Sequence, residues 1–302
     1  MWQSIKIANF VVVTAILLFH GCSMYVSTTS KELKKNRFLV LSMYLSLSDS
    51  ALGLEFIYHN ILVFMNSQGV TFQYQCLMIQ HLAGGTIMSS LIQTLLICIE
   101  RLNATFTIQK DILVFVCSNK GVLLYFILCH CIALLRFGIA TVDGPVPCEP
   151  KNTATTILLF SHDIPCLCIV VAIVFCYGVV VYRMIRLQNF AQASSMTDSQ
   201  VAKKKAKAIR TRKNVVTLGL IIAVSLVAVL PRSMLAFYFY MGNTSAITGT
   251  LIMIINNFFI LLNPVLDPVI YVLRIKKYRQ YLRCKCLKKN AVSDLTNSTA
   301  VS

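Results

Sequence analysis

Carboxylates set in the middle of apolar stretches are the residues of this chain most able to do chemistry. Asp267 shares one such stretch with a proline, as Asp267-Pro268-Val269-Ile270-Tyr271, and Asp49 stands in another, within Leu45-Ser46-Leu47-Ser48-Asp49. A carboxylate in hydrocarbon must be buried against partners or neutralised, so each marks a place where an ion, a proton or another side chain is held. Two together repel unless they share a cation or a proton. Pro268 removes a backbone hydrogen bond and kinks its helix, which sets a hinge beside the charge. A third stretch ends in an acid–base pair, Glu100-Arg101-Leu102, and others carry Glu55, Arg136, Asp163 and Arg232, with His59, His81 and His162. No metal-hydrolase, nucleophile–base or phosphate-loop pattern appears among them. No enzyme is expected, and no cofactor beyond an ion.

The elements that hold these residues are membrane helices. Hydrophobic residues make up 57% of the 302-residue chain and charged residues 13%, with a mean hydropathy of +0.71. A soluble domain carries about a quarter charged residues, so this is an integral membrane protein. Crossing the hydrocarbon takes about 20 apolar residues, which predicts spans near 5–27, 38–64, 72–104, 118–141, 154–187, 209–240 and 247–273. The second and third are divided by the polar run Asn66-Ser67-Gln68-Gly69, with Gln73 and Gln75 beyond it. Short connections predict one all-α domain over 1–290, a seven-transmembrane helix bundle, and a short disordered tail over 291–302. The chain shows no internal repeat of the kind transporters carry.

A formal net charge of +17 could signal nucleic acid, but its distribution speaks for a membrane surface. Of the 28 Lys and Arg, all but Lys6, Arg136, Lys151 and Arg232 fall on one side of the predicted helices. They include Lys31, Lys34, Lys35 and Arg37, the run Lys203-Lys204-Lys205 with Lys207, Arg210, Arg212 and Lys213, and the tail from Arg274 to Lys289. The positive-inside rule makes that side cytoplasmic, with the amino terminus outside and the carboxyl terminus inside. Membrane lipids are the expected partner of this charge, not nucleic acid. The first stretch reads as a retained signal anchor, since its apolar run is too long for a signal peptide and no small-residue cleavage site is obvious. In the tail, Tyr278 and Tyr281-Leu282 alternate with Lys276, Lys277, Arg279 and Arg283. That pattern predicts a short amphipathic helix on the inner leaflet. Cys284 and Cys286 follow in a basic juxtamembrane setting and are palmitoylation candidates. Of the other cysteines, Cys22, Cys98, Cys129, Cys131, Cys166, Cys168 and Cys176 lie in predicted spans, and Cys117 faces the reducing side. Cys76 and Cys148 lie on the oxidising side.

From Cys76 to Glu100-Arg101-Leu102 is about seven helical turns, roughly 37 Å, or one membrane. An outer cysteine, an inner Glu-Arg pair, a buried aspartate in the second stretch and Asp-Pro-Val-Ile-Tyr in the seventh together resemble the rhodopsin-like (class A) G-protein-coupled receptors. The resemblance covers about 10–285. It implies a plasma-membrane receptor that passes an extracellular ligand signal to a heterotrimeric G protein. It also implies a Cys76–Cys148 disulfide, with Arg101 held by Glu100 at rest and meeting the G protein when active. Asp267, Pro268 and Tyr271 take the family's activation hinge. An allosteric sodium ion among Asp49, Ser90, Asn263 and Asp267 is implied as well. A polar network holding only waters and one proton is the alternative.

The chain departs from the family's pattern in several places. Leu102 stands where tyrosine is usual, and Gly21-Cys22 where Gly-Asn is usual. The sixth stretch carries Arg210, Thr211, Arg212 and Lys213 where an opposing acid would sit, so no cross-helix ionic lock is expected. Ala228-Val229-Leu230-Pro231 keeps the proline of the usual switch without its Cys-Trp, and Asp163-Ile164-Pro165 is followed by Ile173 in place of a tyrosine, with Tyr177 one turn inward. Ala83 replaces the aspartate of aminergic receptors, and Leu261 and its neighbours supply no retinal-binding lysine. Neither subtype is expected. The ligand-facing candidates are Arg232, Glu55, Asp163 and His81. Arg232 calls for an anionic group on the ligand, or for Glu55 or Asp163 as its partner. Two other readings stay open: an ion-coupled transporter or channel using Asp49, Asp267 and Glu55, and a receptor-like protein that no longer signals.

Overall fold

The computed structural model describes residues 2–29, 37–64, 70–106, 108–144, 156–192 and 258–267, with 216, 219–220, 222–227, 230–231 and 234 of the sixth stretch. Five long helices occupy the first five predicted spans: α1 Trp2–Thr29, α2 Arg37–Phe64, α3 Val70–Asn103, α4 Asn119–Ala140 and α5 Ile164–Gln192. Residues 222–227 and Phe258–Asp267 are helical within the sixth and seventh. Cys148, Arg232, Pro268, Tyr271, Cys284, Cys286 and the predicted tail helix lie outside the described residues. The polar run after Phe64 divides α2 from α3 as expected, because a cluster of amide and hydroxyl side chains is costly to leave in hydrocarbon.

Arg37–Leu62, Thr71–Asn103, Asn119–Ala140 and Leu159–Arg186 are each long and apolar enough to cross a membrane. Their burial differs and sets the architecture. The apolar window of α3 is 72% buried, against 22% for α4 and 28% for the helix containing α5. α3 is therefore the central post, packed against α2, α4 and α5. Leu41, Leu45, Met88, Leu91, Ile97, Val122, Cys166, Val170 and Ile173 form one core with Ile222 around it. Leu123, Leu124, Ile127, Leu128, Leu134 and Leu135 of α4 point outward, where only lipid can receive an apolar face.

Two local features fix what faces this core. Ser118 caps α4, its Oγ accepting the backbone N–H of Gly121 at 3.1 Å. Ahead of α5, Leu159–Asp163 form a π-helical turn between Thr156–Leu158 and Ile164. Pro165 has no N–H for the carbonyl four residues back, and the Ile164 N–H donates instead to Leu159 O, five residues back. The widened turn carries His162 and Asp163 inward, leaving His162 1% and Asp163 4% exposed. The proline was legible in the sequence; the change of register was not.

Candidate functional site

The carboxyl-terminal end of α3 carries the Glu-Arg pair. Arg101 Nε lies 2.7 Å from Glu100 Oε2, and the guanidinium stands over the Phe38 ring of α2, 4.4 Å from its centroid. Arg37 reaches past them, donating from Nε and Nη2 to the Cys117 carbonyl at 3.0 and 2.7 Å, and lies within electrostatic reach of Glu100. The Cys117 thiol donates to Leu96 O at 3.5 Å, and burial pushes it up to about 11, so it is an inert packing group at neutral pH. Beyond the helix end, Asn103 Oδ1 accepts the Lys110 N–H at 3.0 Å, and the Phe106 ring takes Lys110 and Arg183 as cation contacts. Arg101 is thus held by an acid on its own helix and an aromatic ring on the next. The role of Phe38 had no signal in the sequence, since one phenylalanine among 17 announces nothing.

The middle of the bundle gathers the buried aspartates. Asp49 is 1% exposed and Asp267 0%, and the two carboxyls are close enough to interact. Ser90 donates to Asp49 Oδ1 at 3.1 Å, and the Asp49 and Asp267 carboxyls lie within hydrogen-bond reach of each other, with no other donor to Asp49 Oδ2 or the Asp267 oxygens among the described residues. Asn263, the fourth expected member, uses its Oδ1 to accept from Ser225 at 3.1 Å. Gln93 donates to Ser48 at 2.8 Å and closes the polar layer on the α2 side. Two facing buried carboxyls fit a hard cation between them, or one shared proton. Burying them bare would cost several kcal/mol each.

His20 of α1 is the residue that sequence reasoning missed here. Its side chain is 0% exposed, with Nε2 2.7 Å from Pro264 O and 3.9 Å from Asp49 Oδ2. Pro268 stands four residues beyond Pro264 and has no N–H to give that carbonyl. The imidazole supplies the missing donor, so Nε2 carries a proton and α1 is tied to the last helix at Pro264. The double proline Pro264–Pro268 could have prompted a search for such a donor. Nothing in the sequence says that it comes from α1.

The outer half holds two further groups. On α3, His81 lies edge-on to Phe137 at 6.4 Å and within electrostatic reach of Arg136 and His162. His162 contacts Gly84 O at 3.0 Å through Nε2 and Asp163 Oδ1 at 2.9 Å through Nδ1. Gly84 eases this approach: a Cβ there would lie 3.3 Å from His162 Cδ2, and the ring would have to give by a few tenths of an ångström. Two of the expected ligand residues, His81 and Asp163, are therefore brought to one region, together with Arg136. Glu55 is not with them. It accepts from Thr86 on α3 at 2.8 Å, and Thr86 Oγ1 is also 3.2 Å from His130 Nε2 on α4.

No family model and no curated protein matches the sequence. Among solved structures, squid rhodopsin superposes with a TM-score of 0.68 over 92% of this chain and 83% of its own, at 17% identity. At that identity the likeness carries the fold alone, and the chain has the fold of the rhodopsin-like G-protein-coupled receptors.

Proposed function

We propose that this protein is a multi-pass plasma-membrane receptor that relays an extracellular ligand signal to a heterotrimeric G protein. The observation that carries this reading is the Glu100–Arg101 pair at one end of the central helix of a rhodopsin-like fold, held at rest by an acid and a ring rather than by a distant partner. The amino terminus lies outside and the basic tail inside, anchored through Cys284 and Cys286. Ligand enters from the Cys76 end of α3. Leu261, 4% exposed, is an apolar core residue with no amine for retinal. The basic side chains His81, His162 and Arg136 gathered in this half of the bundle favour a ligand with an anionic group, which Arg232 joins in binding. In reconstituted vesicles the purified chain should accelerate nucleotide exchange on a G protein, at rest or on ligand addition. Ion flux without exchange would instead identify a transporter or channel, and neither activity a protein that no longer signals.

Cys76, 2% exposed, pairs with Cys148 in a disulfide on this reading. Such a bond would tie the second outer loop to α3 and stabilise that end by about 2–4 kcal/mol. Mass spectrometry of unreduced peptides should find the two linked. A free thiol at Cys148 in surface-expressed protein would refute the pairing.

Phe38 restrains Arg101 in the resting state in place of the missing acid on the sixth helix. A desolvated cation–π contact is worth about 0.5–2 kcal/mol. Phe38→Leu, which keeps an apolar side chain but loses the ring face, should raise basal exchange roughly 2- to 30-fold by that figure. Unchanged basal exchange at equal surface expression would remove Phe38 from the resting lock.

A further inference from the structure

Glu55, Thr86 and His130 join α2, α3 and α4 through one hydroxyl group, and proton counting there leads beyond receptor signalling. Thr86 is 0% exposed, with Glu55 Oε1 at 2.8 Å and His130 Nε2 at 3.2 Å. His130 Nδ1 lies 2.8 Å from Phe126 O, an acceptor only, so Nδ1 must carry a proton. The Phe126 ring stacks on the imidazole at 4.1 Å and fixes its orientation. In the neutral ring Nε2 is then a bare acceptor, and ionised Glu55 is an acceptor too. A hydroxyl has one proton and cannot donate it to both.

The arrangement closes when one more proton is present. With Glu55 protonated, its carboxyl donates to Thr86 and the hydroxyl donates to Nε2. With His130 doubly protonated, Nε2–H donates to Thr86 and the hydroxyl donates to Glu55. Both forms carry one proton more than the ionised Glu55 and neutral His130 pair, and both keep the three helices tied. We propose that this triad is a proton-binding site, filled from the Cys76 end of α3, about 15 Å away along the helix.

Among the described residues the site is separate from the other ionisable groups. From the elements around it these are Asp49 and His59 on α2, His81 on α3, Arg136 on α4, His162 and Asp163 ahead of α5, His20 on α1 and Asp267 on the last helix. None of them engages Glu55, whose surroundings are set by its own burial and the Thr86 hydroxyl. Glu55 and His130 are half-buried, which leaves a path for the proton.

The test needs no G protein, so it fails or succeeds independently of the signalling reading. Thermal unfolding of the full chain in lipid nanodiscs is followed between about pH 6 and 8.5 for wild type, Glu55→Gln and Thr86→Val. A histidine in the unfolded chain gives up its proton near pH 6.5. Above that the folded site retains a proton the unfolded chain has lost, so its contribution falls as pH rises. Wild type should stand above Thr86→Val by on the order of 2–4 °C at pH 6, where the Thr86 hydroxyl joins both partners, and the gap should narrow by pH 8.5, where only its bond to ionised Glu55 remains. Glu55→Gln, whose amide donates to Thr86 at every pH, should lose the fall and exceed wild type at pH 8.5. Parallel pH profiles for wild type and Thr86→Val would overturn the proposal, whether or not Glu55→Gln folds. A Glu55→Gln profile parallel to wild type would overturn it as well.

Discussion

Arg101→Ala is expected to abolish nucleotide exchange on the G protein while leaving folding, surface expression and ligand binding largely intact. The reason is distance and exposure. Arg101 lies about seven turns, roughly 37 Å, from Cys76 at the other end of α3. It cannot touch a ligand among His81, Arg136 and Asp163. Its own contacts are an ion pair with the adjacent Glu100 and the face of Phe38, and both side chains of the pair are 17% exposed. A partly exposed ion pair contributes little to stability. Loss of the guanidinium should therefore cost signalling far more than it costs the fold. Exchange assays beside radioligand or thermal-shift measurements on the same preparation separate the two effects. Normal exchange in this variant would make the signalling role of the Glu-Arg pair wrong.

Asp49→Asn should remove a sodium dependence that wild type is expected to show. An ion shifts an equilibrium only by its differential affinity for the two states. The facing Asp49 and Asp267 carboxyls, both buried, would repel when ionised, and one hard cation between them would relieve that repulsion in the resting arrangement. Ser90 lies beside them, and Asn263 joins by giving up Ser225. His20 does not replace the ion while its Nε2–H is committed to Pro264 O. Basal exchange should fall as sodium replaces an inert cation at constant ionic strength. Asparagine keeps the size of Asp49 and loses its charge, so the response should vanish without a packing defect. A wild type indifferent to sodium would mean that the aspartates share a proton and that the layer is structural.

How much of this was written in the sequence depends on whether a property is local. Span positions were legible because hydrocarbon thickness imposes a length that composition alone must meet; Arg37–Phe64 and Asn119–Ala140 fall within a residue or so of their predicted bounds. Asp49, Asp267, Glu55 and Asp163 were legible as special because a charge in an apolar run is costly wherever it points. What they touch was not legible. The sequence offered Glu55 or Asp163 to Arg232. Glu55 meets Thr86, and a π-helical turn ahead of Pro165 brings Asp163 against His162, while Arg232 lies outside the described residues. Phe38 under Arg101 and His20 on the Pro264 carbonyl were equally hidden. An aromatic ring or an imidazole carries no mark of its partner when that partner lies on another helix. The sequence by itself determined a bundle of membrane helices with buried charges at set depths. Only the tertiary structure decided the pairings, since rotation and register of packed helices depend on every contact at once.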